Sequence, residues 1–170
     1  MVKKMKKVIL LSIMLIFLTG CSYGGLYNIS NFVLPDDVKF LAIIQELNTP
    51  EKICQYMTDN FETEEHPCIT LNPYRLYLTK KGDCNDFSTF AIFIAHHHGY
   101  ETYLVLMQFD VWHAIAIYKE GNCYTFSDNQ TYYSDQCYTS FDNITQIYNG
   151  YSKYIVYDYW NDIVEEVDNN

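Results

Sequence analysis

The sequence predicts an α+β fold, N-terminal helices packed on an antiparallel sheet, and three observations predict it. Apolar residues up to Ile94 recur at helical spacing. Beyond Gly99 they alternate with period two, and Glu120-Gly121 joins two alternating runs as a hairpin. Helices first and adjacent strands afterwards leave no crossover helices between strands, so the strands pair antiparallel.

The first twenty residues read as a signal and not as part of the domain. Lys3, Lys4, Lys6 and Lys7 precede an apolar run over residues 8–18, too short to span a bilayer comfortably. The run ends in Leu18-Thr19-Gly20-Cys21, which resembles the lipobox of bacterial lipoproteins. That resemblance implies cleavage before Cys21 and acylation of its sulfur. The domain would then sit lipid-anchored on the outer face of the cell membrane. Residues 21–35, with Gly24-Gly25 and no periodicity, read as a lipidated tether, and residues 36–170 as one domain.

Asp36-Asp37 opens a helix running to about residue 47. Thr49-Pro50-Glu51 supplies an N-cap, a proline at the first helical position and an early acid for a second helix, to about residue 61. Residues 62–70 are polar and connect. Asn72-Pro73 repeats the cap-and-proline signal for a short helix ending near Thr79. The next helix, residues 84–98, is the most apolar. Phe87, Phe90, Ala91, Ile94 and Ala95 form one buried stripe, Asp83 is the N-cap, Asp86 makes a partial capping box, and Gly99 stops the helix. Gly82 supplies a turn conformation before it. Residues 101–109, 112–119 and 122–128 read as strands, 140–148 as a short helix, and 154–160 as a last strand. Asp162, Glu165 and Glu166 read as a solvated tail.

Charge removes one class of function. The chain carries a net charge of -10, and loss of the signal takes four lysines and no acids, leaving -14. Such a surface repels nucleic acid. The cysteines point to an oxidising compartment. With Cys21 assigned to lipid and Cys84 to chemistry, Cys54, Cys68, Cys123 and Cys137 remain. Cys54–Cys68 and Cys123–Cys137 are each 14 residues apart and suit two local disulfides, one of three pairings that four cysteines allow.

The chemistry centres on Cys84. At a helix N-terminus the dipole favours thiolate over thiol, and Lys80 and Lys81 act in the same direction. Position alone leaves a buried structural cysteine as an equal alternative. His113 begins a strand, facing the same way as Ile115 and Ile117. Asp128 ends the next strand on the face of Tyr124 and Phe126, a plausible cross-strand neighbour of the imidazole. A Cys84 helix packed on that face makes a thiol, base and orienting carboxylate.

Gly82-Asp83-Cys84 opening a helix, His113-Ala114 starting a strand 29 residues later, and Asp128 a further 15 on resemble the transglutaminase-like superfamily. The match covers about residues 49–129. The resemblance implies a papain-type α+β core and a Cys–His–Asp triad. Cys84 is then the nucleophile, His113 the general base and later acid, and Asp128 the residue that orients the imidazole. Asn129 is the rival third member, because papain-like enzymes use asparagine. Animal transglutaminases carry a tryptophan upstream of the cysteine for the oxyanion, and this chain has none there. Tyr74, Tyr77 or Gln45 could replace it. That departure favours hydrolysis of peptide or amide bonds over protein cross-linking.

The expected function is therefore a cysteine hydrolase that needs no cofactor or metal and acts on a peptide or protein substrate at the cell surface. Transamidation by an amine is the alternative outcome of the same thioester. A binding module of the same fold with a silent triad is the reading from another class. His96-His97-His98 is no metal tract, because successive helical residues point about 100° apart; it reads as a helix C-terminus. Trp112 reads as core.

Overall fold

The computed structural model describes residues 27–66 and 69–169. The acylation site at Cys21, the cleavage site and Cys68 lie outside the described residues. No helix among those described is long and apolar enough to cross a membrane.

Among the described residues, five α-helices and eight strands follow in the order α1 Val38–Glu46, α2 Pro50–Asn60, β1 Glu62–Thr63, α3 Pro73–Thr79, β2 Lys81–Gly82, α4 Cys84–His97, β3 Glu101–Gln108, β4 Trp112–Glu120, β5 Cys123–Asp128, β6 Thr131–Tyr138, α5 Phe141–Thr145, β7 Lys153–Asp158 and β8 Ile163–Asp168. The six long strands form one antiparallel sheet in the order β6-β5-β4-β3-β7-β8, and β1 pairs parallel with β2 beside it. Four of the five helices precede the antiparallel six-stranded sheet, which makes this an α+β protein.

The helix caps act locally. Asp37 accepts from Lys39 and Phe40, Thr49 from Lys52 with Pro50 behind it, and Asn72 from Arg75 with Pro73 behind it. Helix α4 has a full capping box: Asp83 accepts from the Asn85 and Asp86 amides, and the Asp86 carboxylate accepts from Asp83 N–H at 2.9 Å. Gly99, at φ 85°, closes its far end.

One buried stripe was expected on α4, yet every residue from 86 to 95 is buried. Helices α1 and α2 bring Phe40 onto Phe93 and Tyr56 onto Phe90, Phe61 at the end of α2 stacks on Phe87, and Phe32 meets Phe93 edge-on. A helix wrapped on all sides has no polar face to keep. The expected tether at 21–35 is shorter than the sequence indicates. A 3-10 turn at Ile29–Asn31 lays Ile29 into the core, 4% exposed.

The sheet is buried on both faces. Leu104, Leu106, Ala114, Ala116 and Tyr118 face α4. Val105, Ile115, Ile117 and Phe126 face the other way, into a second core with Tyr138, Ile144 and Tyr154. The helix therefore packs on the face opposite Ile115 and Ile117, not on theirs. Small Ala114 and Ala116 let its backbone approach the sheet.

Besides the short pair β1 and β2, two strands of the large sheet escaped the sequence pattern. Strand β6 is an edge strand, exposed along most of its length and without alternation in burial. Strand β8 contains the supposed tail: Glu165 hydrogen-bonds the Tyr154 hydroxyl and Glu166 pairs with Lys153. Cys123 and Cys137 are joined as a disulfide across β5 and β6. Cys54 is not paired with Cys68; it is a free thiol, 3% exposed within the core. Ser127 and Tyr118 hydrogen-bond the Cys54 thiol, and burial pushes it up to about 12.

Candidate active site

Strand register brings the imidazole and carboxylate together. Asp128 lies opposite Ile115, which makes His113 its diagonal neighbour two residues along the same face. A long side chain spans that diagonal: His113 Nε2 meets Asp128 Oδ1 at 2.9 Å. Cys84 is the other group that acts on the imidazole: its side chain, like Asp128, favours the protonated ring. His113 is the second residue of β4 and Cys84 the first of α4. The helix packs on the other face of the sheet, but both residues stand at the ends of their elements, where the division between faces ceases.

Electrostatics favour a charged imidazole. Burial acts most strongly and opposes the charge, yet the Asp128 hydrogen bond, the Cys84 side chain and the Asp128 charge together hold His113 at about 10. Burial likewise raises Asp128, but the His113 hydrogen bond and charge outweigh it and keep the carboxyl below its ordinary range. An imidazolium beside a sulfur stabilises the anion left when the thiol gives up its proton.

Two neighbours of the carboxylate were not legible as such in the sequence. Tyr148 donates its hydroxyl to Asp128 Oδ2 at 2.8 Å, and its ring centroid stands 6.0 Å from that of His113. Asn129 takes the left-handed conformation, φ 52°, in the tight β5–β6 turn, and its amide donates to Asp128 Oδ1 at 3.1 Å. Asn129 thus supports Asp128 instead of competing for the imidazole. The turn is pinned to α2 by Gln130, which donates to the carbonyls of Met57 and Phe61. No sequence signal marks Tyr148, which comes from beyond β6.

Beneath Cys84 sits a second network. Asp86 is fully buried; Oδ1 accepts from Leu71 N–H at 2.6 Å and Oδ2 meets His66 Nε2 at 2.5 Å. Gly82 is needed for space and not for its turn conformation. A Cβ there would lie 2.7 Å from Asp86 Oδ2 and 2.8 Å from Leu76 Cδ1. The left-handed residue is Lys80, φ 60°, the C-cap of α3. His66, Asp83 and Asp86 bring ligand-type atoms within 4.8 Å of one another. Both Asp86 oxygens are already engaged by backbone amides and His66, so the cluster reads as a brace for the helix start.

The lysines do not act on Cys84 as expected. Lys81 pairs with Glu64 at 2.9 Å and Glu62 at 3.7 Å. Lys80 turns into rings, 4.0 Å from the Tyr77 centroid, with its ammonium donating to the Tyr56 hydroxyl. Tyr74 and Tyr77 pack on Phe40, which stacks on Phe93 in the distant part of α4, and Gln45 is exposed on α1. None of these three serves an oxyanion at Cys84. The Cys84 N–H itself, in the first turn of α4, has no intrahelical partner. The histidine run diverges: His96 stacks on Tyr159, His97 lies by Phe93, and His98 Nε2 meets the Ile44 carbonyl at 2.6 Å. Trp112 is half-buried against the helix-side core.

A pH titration checks the relay. The folded value near 10 lies above the ordinary 6.5, so the pair's contribution to stability is whole below about 6.5 and is lost as pH rises through about 10. In Asp128→Asn the His113 ring titration, followed by NMR, moves down by more than one unit, about what removal of an adjacent charge produces. An unchanged titration would remove Asp128 from its role.

No protein-family model matches this chain, and no curated protein matches it in sequence.

Proposed function

We propose that this protein is a membrane-tethered cysteine hydrolase of transglutaminase-like fold that cleaves peptide or amide bonds through a thioester. The observation that carries the reading is the series Asp128–His113–Cys84, with a carboxylate 2.9 Å from His113 Nε2 and the Cys84 side chain also favouring the protonated ring. In this reading the Cys84 thiolate attacks the carbonyl carbon, and the Cys84 N–H at the helix start donates to the oxyanion. The C–N bond breaks as His113 gives its proton to the departing amine. Water, giving its proton back to His113, then attacks the thioester; the C–S bond breaks, releasing the acid and restoring the Cys84 thiolate beside the protonated His113. An amine in place of water gives transamidation. Acylated Cys21 would hold the domain on the outer face of the membrane, close to peptide or protein substrates there.

Limited alkylation with iodoacetamide near neutral pH tests the site without knowledge of the substrate. Cys84 is expected to label first, Cys54 to resist because it is buried, and His113→Ala to slow the Cys84 reaction. Equal labelling of both thiols, or none at Cys84, would remove the enzyme reading.

A further inference from the structure

The C-terminal end of α4 carries a second cleft, about 18 Å along the helix axis from Cys84. It encloses about 190 Å³ between α4, the start of β3 and the β7–β8 turn. Its floor is aromatic. His96 and Tyr159 stack with centroids 3.5 Å apart, and Trp160, 60% exposed, stands edge-on to both. An indole so placed loses its hydration to nothing in the fold. The turn that presents it is rigid: Asp158 Oδ1 accepts from the N–H groups of Trp160 and Asp162, both at 2.9 Å, and Asn161 takes the left-handed conformation at φ 71°.

The polar lining includes acceptors. Of the two carboxylates, Glu101 is held by Lys119 and the Tyr103 hydroxyl, whereas Asp158 Oδ2 takes no part in the turn's two hydrogen bonds. Thr102 lines the cleft at 2% exposure, and its hydroxyl has no hydrogen-bond partner among the described residues. A buried hydroxyl left unpaired is costly, which makes it a place where a hydrogen-bonding partner is wanted, and its oxygen can accept from a cationic donor. Burial holds His96 below its ordinary value, so the ring is a neutral stacking surface and not a competing cation. Acceptors, a carboxylate and exposed aromatic faces together select a group that only donates and carries positive charge.

We propose that this cleft binds the ammonium or guanidinium of a basic peptide side chain, held between Trp160 and Asp158 with the Thr102 hydroxyl as a further acceptor. The inference does not depend on the Cys84 chemistry.

The test is an NMR titration of the full chain, read at the Thr102 and Trp160 amides, with N-acetyl-lysinamide and N-acetyl-argininamide. N-acetyl-norleucinamide, the same stem without the ammonium, and glucose are the controls. Saturable shifts with the two basic probes only, weakening with added salt, are expected. Asp158→Asn keeps the Oδ1 acceptor that the turn uses and should weaken binding about fivefold. Trp160→Ala should weaken it about three- to fivefold, and Trp160→Phe less. Cys84→Ala should bind as wild type does. Equal shifts from norleucinamide or glucose, no shift from the basic probes, unchanged affinity in Asp158→Asn, or loss of binding in Cys84→Ala would each overturn the proposal.

Discussion

Replacing His113 with alanine is expected to slow acylation of Cys84 by about 10²- to 10⁴-fold, the range that a positioned general base contributes. The burst of p-nitrophenol from p-nitrophenyl acetate measures it, because the first acyl transfer needs no cognate substrate. The fold should survive, since His113 is half-buried at the end of β4 and the strand's core residues are Ala114 to Tyr118. Added imidazole should restore part of the burst. Asp128→Asn should lose less than His113→Ala, because the amide still accepts a hydrogen bond at Oδ1. Tyr148→Phe should lose least, since it removes one hydrogen bond to the carboxylate and leaves the ring beside His113. A burst in His113→Ala as fast as in the wild type would end the relay reading.

The largest stability effect is expected at Asp86, which never touches the sulfur. Asp86→Ala leaves the amides of Leu71 and Asp83 without acceptors and His66 without its partner. The loss should be about 3 kcal/mol, which lowers the melting temperature of a domain this size by roughly 6–12 °C. Burial raises the Asp86 carboxyl above its ordinary value, so part of its attraction for these donors is offset by desolvation. Asp86→Asn, which keeps one acceptor oxygen, should therefore lose less than alanine. Gly82→Ala strikes the same place from the other side, with its methyl group 2.7 Å from Asp86 Oδ2. Calorimetry of the three variants checks the order. Alanine at position 86 melting like the wild type would show that the brace contributes nothing.

Both effects meet at the start of α4, and that start was the most legible part of the chain. Asp83, Asp86 and the apolar run behind them are neighbours in sequence, so capping and helical period identify them without tertiary information. The pairing of β4 with β5 was legible for the same reason, through the Gly121 turn. Register was less so. Asp128 faces Ile115 across the ladder, and only the diagonal places it at His113. Strands β6 and β8 were missed because edge strands bury little and lack strong alternation.

Sequence alone determined what is local: the caps, the α+β order, the hairpin between β4 and β5, and the 14-residue spacing that became the Cys123–Cys137 bridge. Tertiary structure alone decided which face of the sheet α4 covers, why Gly82 must lack a side chain, that Cys54 stays a buried thiol, and that Tyr148 supports Asp128. Each of these depends on the meeting of segments far apart in the chain. Side-chain spacing records contacts within a turn or a hairpin, whereas volume exclusion and burial between distant elements act only once the chain has packed.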